Sequence, residues 1–278
     1  MKKLVIGRYY FNSLFKDRAG KSFLDDLMKE PFIEEKNFEY ALGNFNAEEY
    51  EENVLLRGTF GRMRKGDFAK TYDKGKKEFK NKPLPDIADV ILEFIINHEN
   101  HLIFLEYNTL IKPSNFADKF KKIYAHTASI ADLEIDFIFI EKDVYETIQK
   151  WQKVEQVIFK RLRPSNPSSL DYFKDIEELL KETKSEKTNI EFHGPSAKGS
   201  EENVGSLNYE SKLIKQGIAL SSHGYGEARL KGLEKNGKEV EVESKRFLRK
   251  VEVDFTKDGA LERIIQTIEE IKKQEDNG

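Results

Sequence analysis

Two apolar runs, Val90–Ile96 and His101–Tyr107, are separated only by Asn97-His98-Glu99-Asn100, and this pair constrains the chain more than any other feature. Runs rich in Ile, Leu and Phe that flank a short polar turn read as the two arms of a β-hairpin. A four-residue loop sets Ile96 against His101, Phe94 against Ile103, Leu92 against Leu105 and Val90 against Tyr107. One face is then largely apolar, and the hairpin becomes the centre of an N-terminal sheet.

Around this hairpin the chain reads as α+β, with mainly antiparallel sheets and flanking helices. Residues 3–11 and Val54 to Met63 suggest strands, and Ser13 to Lys29 an irregular helical stretch interrupted by Gly20. The segment from Arg64 to Asp86 is rich in lysine and turn residues, as expected of a solvated hairpin or excursion. Pro113 opens a helix from Ser114 to Tyr124, with Phe116 and Phe120 on one face. A strand over Glu134–Ile140 and a helix from Asp143 to Trp151 complete a first subdomain, 1–150.

The second subdomain, 151–278, begins with a strand from Val154 to Arg163 that stops at Pro164. A helix capped by Ser168 or Ser169, a strand over 188–193 and a short helix from Leu207 to Gln216 follow. The next hairpin has an arguable register. If Lys235-Asn236-Gly237 forms a three-residue loop with glycine in the left-handed position, Leu230 faces Val242 and Gly232 faces Val240. Arg229 then meets Glu243 and Lys231 meets Glu241 on the other face, whereas a two-residue turn would set valines against Lys231 and Leu233. Phe247–Phe255 reads as a last strand, and Leu261, Ile264, Ile265, Ile268 and Ile271 form the apolar stripe of a terminal helix.

Charge is distributed unevenly. Between Glu30 and Glu52 stand eight Glu against Lys36 alone, and between Arg57 and Lys82 ten Lys and Arg against Asp67, Asp73 and Glu78. The net charge of −3 excludes a wholly basic, histone-like binder, so any nucleic-acid contact must be regional. Cysteine is absent, which excludes disulfides and thiolate metal sites and fits a reducing cytoplasm. No apolar run approaches a membrane span, and twenty Phe with eleven Tyr supply a core.

The basic clusters are the best candidate site residues. Arg57, Arg62, Arg64 and Lys65 run along and beyond one strand, and Lys160, Arg161 and Arg163 end another. Such residues neutralise backbone phosphates without reading sequence. The structural alternative is a solvated face, or an acidic block folded over the basic one. Glu93 and Glu106, diagonal on the central hairpin, form an alternative catalytic pair for Mg²⁺ or acid/base work, although structural carboxylates satisfied by Lys or Arg from the basic block are the simpler explanation. A nuclease core would place Lys two residues after the second carboxylate, where Asn108 stands. His98 and His101 bracket a turn without an HExxH or cysteine partner, Ser221 and Ser222 lie outside a GxSxG elbow, and no phosphate loop occurs. The sequence therefore implies no cofactor and no resident metal.

The segments LIFLEYNTLIKPSNFADKFKKIY, FKRLRPSN and SHGYGEARLKGLEKNGKEVEVESK, followed by a terminal helix, resemble the bacterial and prophage defence proteins of the RexA and KwaB kind over the last two-thirds of the chain. The resemblance implies a cytoplasmic DNA-binding component of a phage-exclusion system that self-associates and works with a partner protein. It assigns no residue roles and does not explain the block before Asp86. The expectation is thus a non-enzymatic nucleic-acid-binding accessory or sensor, binding DNA ahead of RNA. A metal-dependent nuclease or hydrolase using Glu93 and Glu106, and a charge-driven protein-interaction module, are the alternatives.

Overall fold

Leu4 to Tyr9 are buried on successive positions without alternation, the pattern of a strand covered on both faces. In the computed structural model, which describes residues 1–11, 23–29, 32–50, 53–65, 68–73, 78–83, 88–128, 133–164, 174–195, 205–256 and 259–277, this segment is β1 (Lys2–Phe11). The fold is α+β with antiparallel sheets and flanking helices. It divides into two compact units, one of residues 10–134 and one that joins residues 1–9 to 135–278. The division falls at 134, ahead of the expected boundary near 150, and β1 belongs with the C-terminal half. No local pattern announces that exchange, because the pairing that causes it joins strands far apart in sequence.

The unit 10–134 holds β2 (Phe32–Glu35), β3 (Phe38–Tyr50), β4 (Asn53–Arg64), β5 (Phe68–Asp73), β6 (Glu78–Pro83), β7 (Ala88–Asn97), β8 (Leu102–Glu106) and helix α1 (Pro113–Ala128). β2, β3, β4, β7 and β8 are neighbours in that order, all antiparallel, while β5 and β6 form a separate two-stranded ribbon. The core is aromatic, with Phe60 edge-on to Phe116 at 5.1 Å and Phe94 edge-on to Phe120 at 5.7 Å. The central hairpin forms, but its register differs by two residues: Phe94 pairs with Leu105 and Ile96 with Ile103. Asn97 pairs with Leu102, so the four-residue turn is His98 to His101, one position further along, and His101 takes a left-handed conformation (φ 54°) within it. The expected helix from Ser13 falls largely outside the described residues, of which 23–27 are helical.

The other unit holds β1, β9 (Leu133–Phe137, from Ile135 on), α2 (Glu141–Ile148), β10 (Trp151–Leu162), α3 (Lys174–Glu182), β11 (Thr188–His193), α4 (Lys212–Ser222), β12 (Glu227–Glu234), β13 (Glu239–Glu243), β14 (Lys250–Val253) and α5 (Ala260–Asn277). β1 pairs with β14 and with β9, and a second sheet runs β11-β10-β12-β13. The β12–β13 register is the expected one, Leu230 with Val242 and Gly232 with Val240, and Gly237 supplies the left-handed turn position at φ 78°. Arg229 donates to Glu241, a diagonal neighbour, at 2.5 Å.

Two elements are displaced from expectation. Asn208 accepts the Glu210 N–H and Ser211 is extended, so residues 207–211 make a turn and α4 starts at Lys212. Ser244–Arg246 forms a 3₁₀ turn, which shortens the last strand to Lys250–Val253. The expected cap at Ser168 or Ser169 lies outside the described residues. In the terminal helix Ile264, Ile265, Ile268 and Ile271 are buried. No helix among the described residues is long and apolar enough to cross a membrane.

Candidate nucleic-acid interface

β4 lies between β3 and β7, so its side chains meet carboxylates from both neighbours. Arg57 donates to Glu93 at 3.0 Å across the β4–β7 ladder, and Glu106 accepts the backbone N–H of Glu93 at 3.0 Å. The two carboxylates of the hydrolase alternative are therefore engaged in the sheet. Arg62 forks onto Asp89 through Nε at 3.0 Å and Nη2 at 2.8 Å, while Arg64 stands 3.9 Å from the same carboxylate. The Arg62 hydrogen bond, with burial opposing it, holds the Asp89 carboxyl below its ordinary range. Lys65 pairs with Glu34 and lies 3.8 Å from Glu39, so part of the acidic block answers part of the basic one.

The remaining carboxylate of β2, Glu35, accepts from Lys119 at 2.6 Å and Lys122 at 2.7 Å of α1. These two contacts lower the Glu35 pKa. Burial opposes ionisation of Asp118, but the same lysines lower its pKa as well. Because both folded-state values are depressed, the stabilisation is complete above the unfolded carboxylate range near about 4 and is lost as pH falls through the folded values. The stability difference between wild type and Lys119→Gln, followed by urea midpoint, is expected to shrink between about pH 6 and about pH 3; a difference independent of pH would contradict this.

The ribbon β5–β6 springs from the C-terminal end of β4 and returns to the N-terminal end of β7, so it stands where the β4–β7 ladder stops. It pairs Thr71 with Lys80 and Ala69 with Lys82, and among the described residues it joins no other strand. Between Phe68 and Pro83 the sequence carries six Lys against Asp73 and Glu78. Lys74, Lys76 and Lys77, at the tip, lie outside the described residues.

The second basic cluster sits in the other unit. β10 bulges between Phe159 and Leu162, and Arg161 takes a left-handed conformation (φ 55°) there. Its Nη2 donates to Asp136 at 2.6 Å and lies 2.9 Å from Glu227, and the Arg163 Nε stands 3.9 Å from Asp136. The two arginines do share one side, and a fully buried carboxylate of β9 lies against both. Lys160 pairs in register with Glu227. Nearby, Arg8 of β1 is buried against Glu275 of α5, donates to the His223 carbonyl at 3.1 Å and covers the Tyr225 ring at 4.7 Å. Ser221 is buried, and His223 turns Nδ1 toward Glu275 at 3.7 Å. His98 and His101 stack on one another at 6.1 Å. Among the described residues no three His, Asp or Glu gather as a metal site would require.

A family model described as a domain of unknown function, DUF4747, matches residues 13–273. The chain belongs to the DUF4747 family. No curated protein matches it. The DUF4747 span includes the ribbon, the Arg62–Asp89 fork and the Asp136 cluster, whereas Arg8 and Glu275 lie on either side of it. Within the DUF4747 span, sequence reasoning found the cations and the carboxylates of Glu93 and the acidic block that answer some of them, and missed Asp89 and Asp136. Asp136 is the one acid among Ile135, Phe137, Ile138 and Phe139, and an acid inside an apolar strand is the signal that points to a buried partner.

Proposed function

We propose that this DUF4747 protein is a non-enzymatic nucleic-acid-binding component of a phage-exclusion system, holding the DNA backbone through the lysine-rich ribbon β5–β6. The ribbon carries the reading. A two-stranded antiparallel element has the width of the DNA major groove, and its excess of lysine supplies sequence-independent attraction to phosphate. The resemblance to the RexA and KwaB kind supports the defence setting in the cytoplasm, self-association and a partner protein. The engagement of Glu93 with Arg57 and of Glu106 with backbone weighs against a nuclease, and the pairing of Glu34, Glu35 and Glu39 within one unit weighs against docking through the acidic block.

Fluorescence anisotropy with duplex DNA, single-stranded DNA and RNA across a salt series tests this. Lys80→Gln with Lys82→Gln is expected to reduce the slope of log affinity against log salt by about 1.8, roughly 0.9 for each phosphate contact removed. A slope unchanged by the double substitution would contradict the ribbon's role. A probe cut in the presence of Mg²⁺ would favour the hydrolase.

A further inference from the structure

Asp89 occupies an unusual place in the β4–β7 ladder. Arg62 pairs with Val90 and the adjacent Met63 with Ala88, so Asp89 is an extra residue on β7, a β-bulge. In an uninterrupted strand residue 89 would point to the face opposite Val90. The bulge brings its carboxylate to Arg62, the residue that pairs with Val90. Regular alternation also places Arg62 and Arg64 on one side of β4, and both guanidiniums lie over the Phe38 ring, at 4.9 and 6.0 Å. Two arginines, an aromatic platform and one carboxylate thus meet at the base of the ribbon.

A fork from guanidinium to carboxylate has the same planar, two-bond geometry as one from guanidinium to phosphate. We infer that Arg62 and Arg64 form a phosphodiester-binding site at the base of the ribbon, and that Asp89 occupies the anion position in the free protein as a built-in competitor. This rests on the nucleic-acid reading and adds to it how affinity is set. The two arginines divide the work. Arg62 is largely covered and holds Asp89 through two short bonds, so it stays in place. Arg64 is the more exposed of the two, at 52% against 17% for Arg62, and stands 3.9 Å from Asp89. Its exposure makes Arg64 the arginine that meets an incoming phosphate. Asp89 then lies beside that phosphate and repels it, which keeps the complex weak and easily reversed. Because Arg62 depresses the Asp89 pKa, the competitor remains charged through the neutral range.

The consequence is counter-intuitive for a binding surface: removing an ion pair strengthens binding. One unit charge about 4 Å from a phosphate in water contributes about 1 kcal/mol, so Asp89→Asn is expected to bind duplex DNA roughly fivefold more tightly. Arg64→Gln is expected to weaken binding roughly threefold and to lower the salt slope by about 0.9. The double substitution should match Arg64→Gln alone, since without Arg64 no phosphate is drawn beside Asp89. The experiment is anisotropy of a fluorescein-labelled duplex with the four full-length proteins over a salt series, alongside their thermal melts. Tighter binding by Asp89→Asn that disappears in the double variant supports the inference. Wild-type binding with Asp89→Asn equal to or weaker than wild type, at an unchanged melting temperature, overturns it while leaving the nucleic-acid reading intact. If Asp89→Asn fails to fold, Arg64→Gln decides: a loss of affinity and slope supports the site, and wild-type values overturn it. No binding of any nucleic acid by wild type or Asp89→Asn overturns the broader reading and this inference together.

Discussion

Asp136→Ala is expected to lower the stability of the protein by about 3 kcal/mol, the lower part of the range for removing one partner of a buried ion pair. The carboxylate is 1% exposed, accepts the Arg161 guanidinium at 2.6 Å and lies 3.9 Å from that of Arg163. Arg163 is nearly covered, so its charge stays in the interior after the carboxylate is gone. Arg161 is partly exposed and keeps Glu227, which moderates the loss. Its left-handed backbone adds to the effect, because a non-glycine residue holds that conformation only where its surroundings impose it. Asp136→Asn preserves shape and one acceptor and should cost less. A urea midpoint that Asp136→Ala leaves unmoved would show that the two arginines are solvated without it.

Gly232→Ala is expected to destabilise by a similar amount, for a steric reason. A Cβ at Gly232 would lie 2.2 Å from the Lys153 carbonyl oxygen and 2.7 Å from the Trp151 ring. The first of these atoms is backbone in the adjacent strand β10, at the place where its register against β12 shifts between Trp151 and Lys153, and it has no rotamer through which to escape. Overpacking against such an atom costs about 3 kcal/mol, and for a chain of this size that is a fall in melting temperature of roughly 6 to 12 °C. Gly237→Ala provides the comparison. Nothing lies within 4 Å of its added methyl, and only the positive φ of 78° opposes it, so it should cost about 1 kcal/mol. Equal melting temperatures for the two variants would remove the steric argument.

These two glycines also show what the sequence could reveal. The β12–β13 register followed from alternation and one turn glycine, both local. The reason Gly232 must be glycine lies in a bulge on β10 that no pattern announced. For β7 and β8 the faces were legible and the register was not. A slip of two residues leaves Phe94, Ile96, Ile103 and Leu105 on the same side, so hydrophobic patterning cannot tell the alternatives apart. At the candidate interface, clustering displayed Arg62, Arg64, Arg161 and Arg163. Their anions, Asp89 and Asp136, come from strands brought alongside by the fold, one of them through a bulge. Charge counted along a chain overstates how much of it reaches solvent.

The division of the chain has a consequence in the order of synthesis. Residues 10–134 leave the ribosome as an uninterrupted block, with β2 to β8 and the covering helix already made. β1 is translated earlier than all of them, yet two of the strands it pairs with, β9 and β14, come later, and the buried Arg8 meets its carboxylate only when Glu275 of α5 emerges. The nascent chain thus carries an apolar strand, Leu4 to Tyr9, through nearly the whole of elongation before the other unit can close. A pause or premature stop late in the message would release a folded block of residues 10–134 attached to a strand still lacking β14, with the hazard of an exposed strand edge.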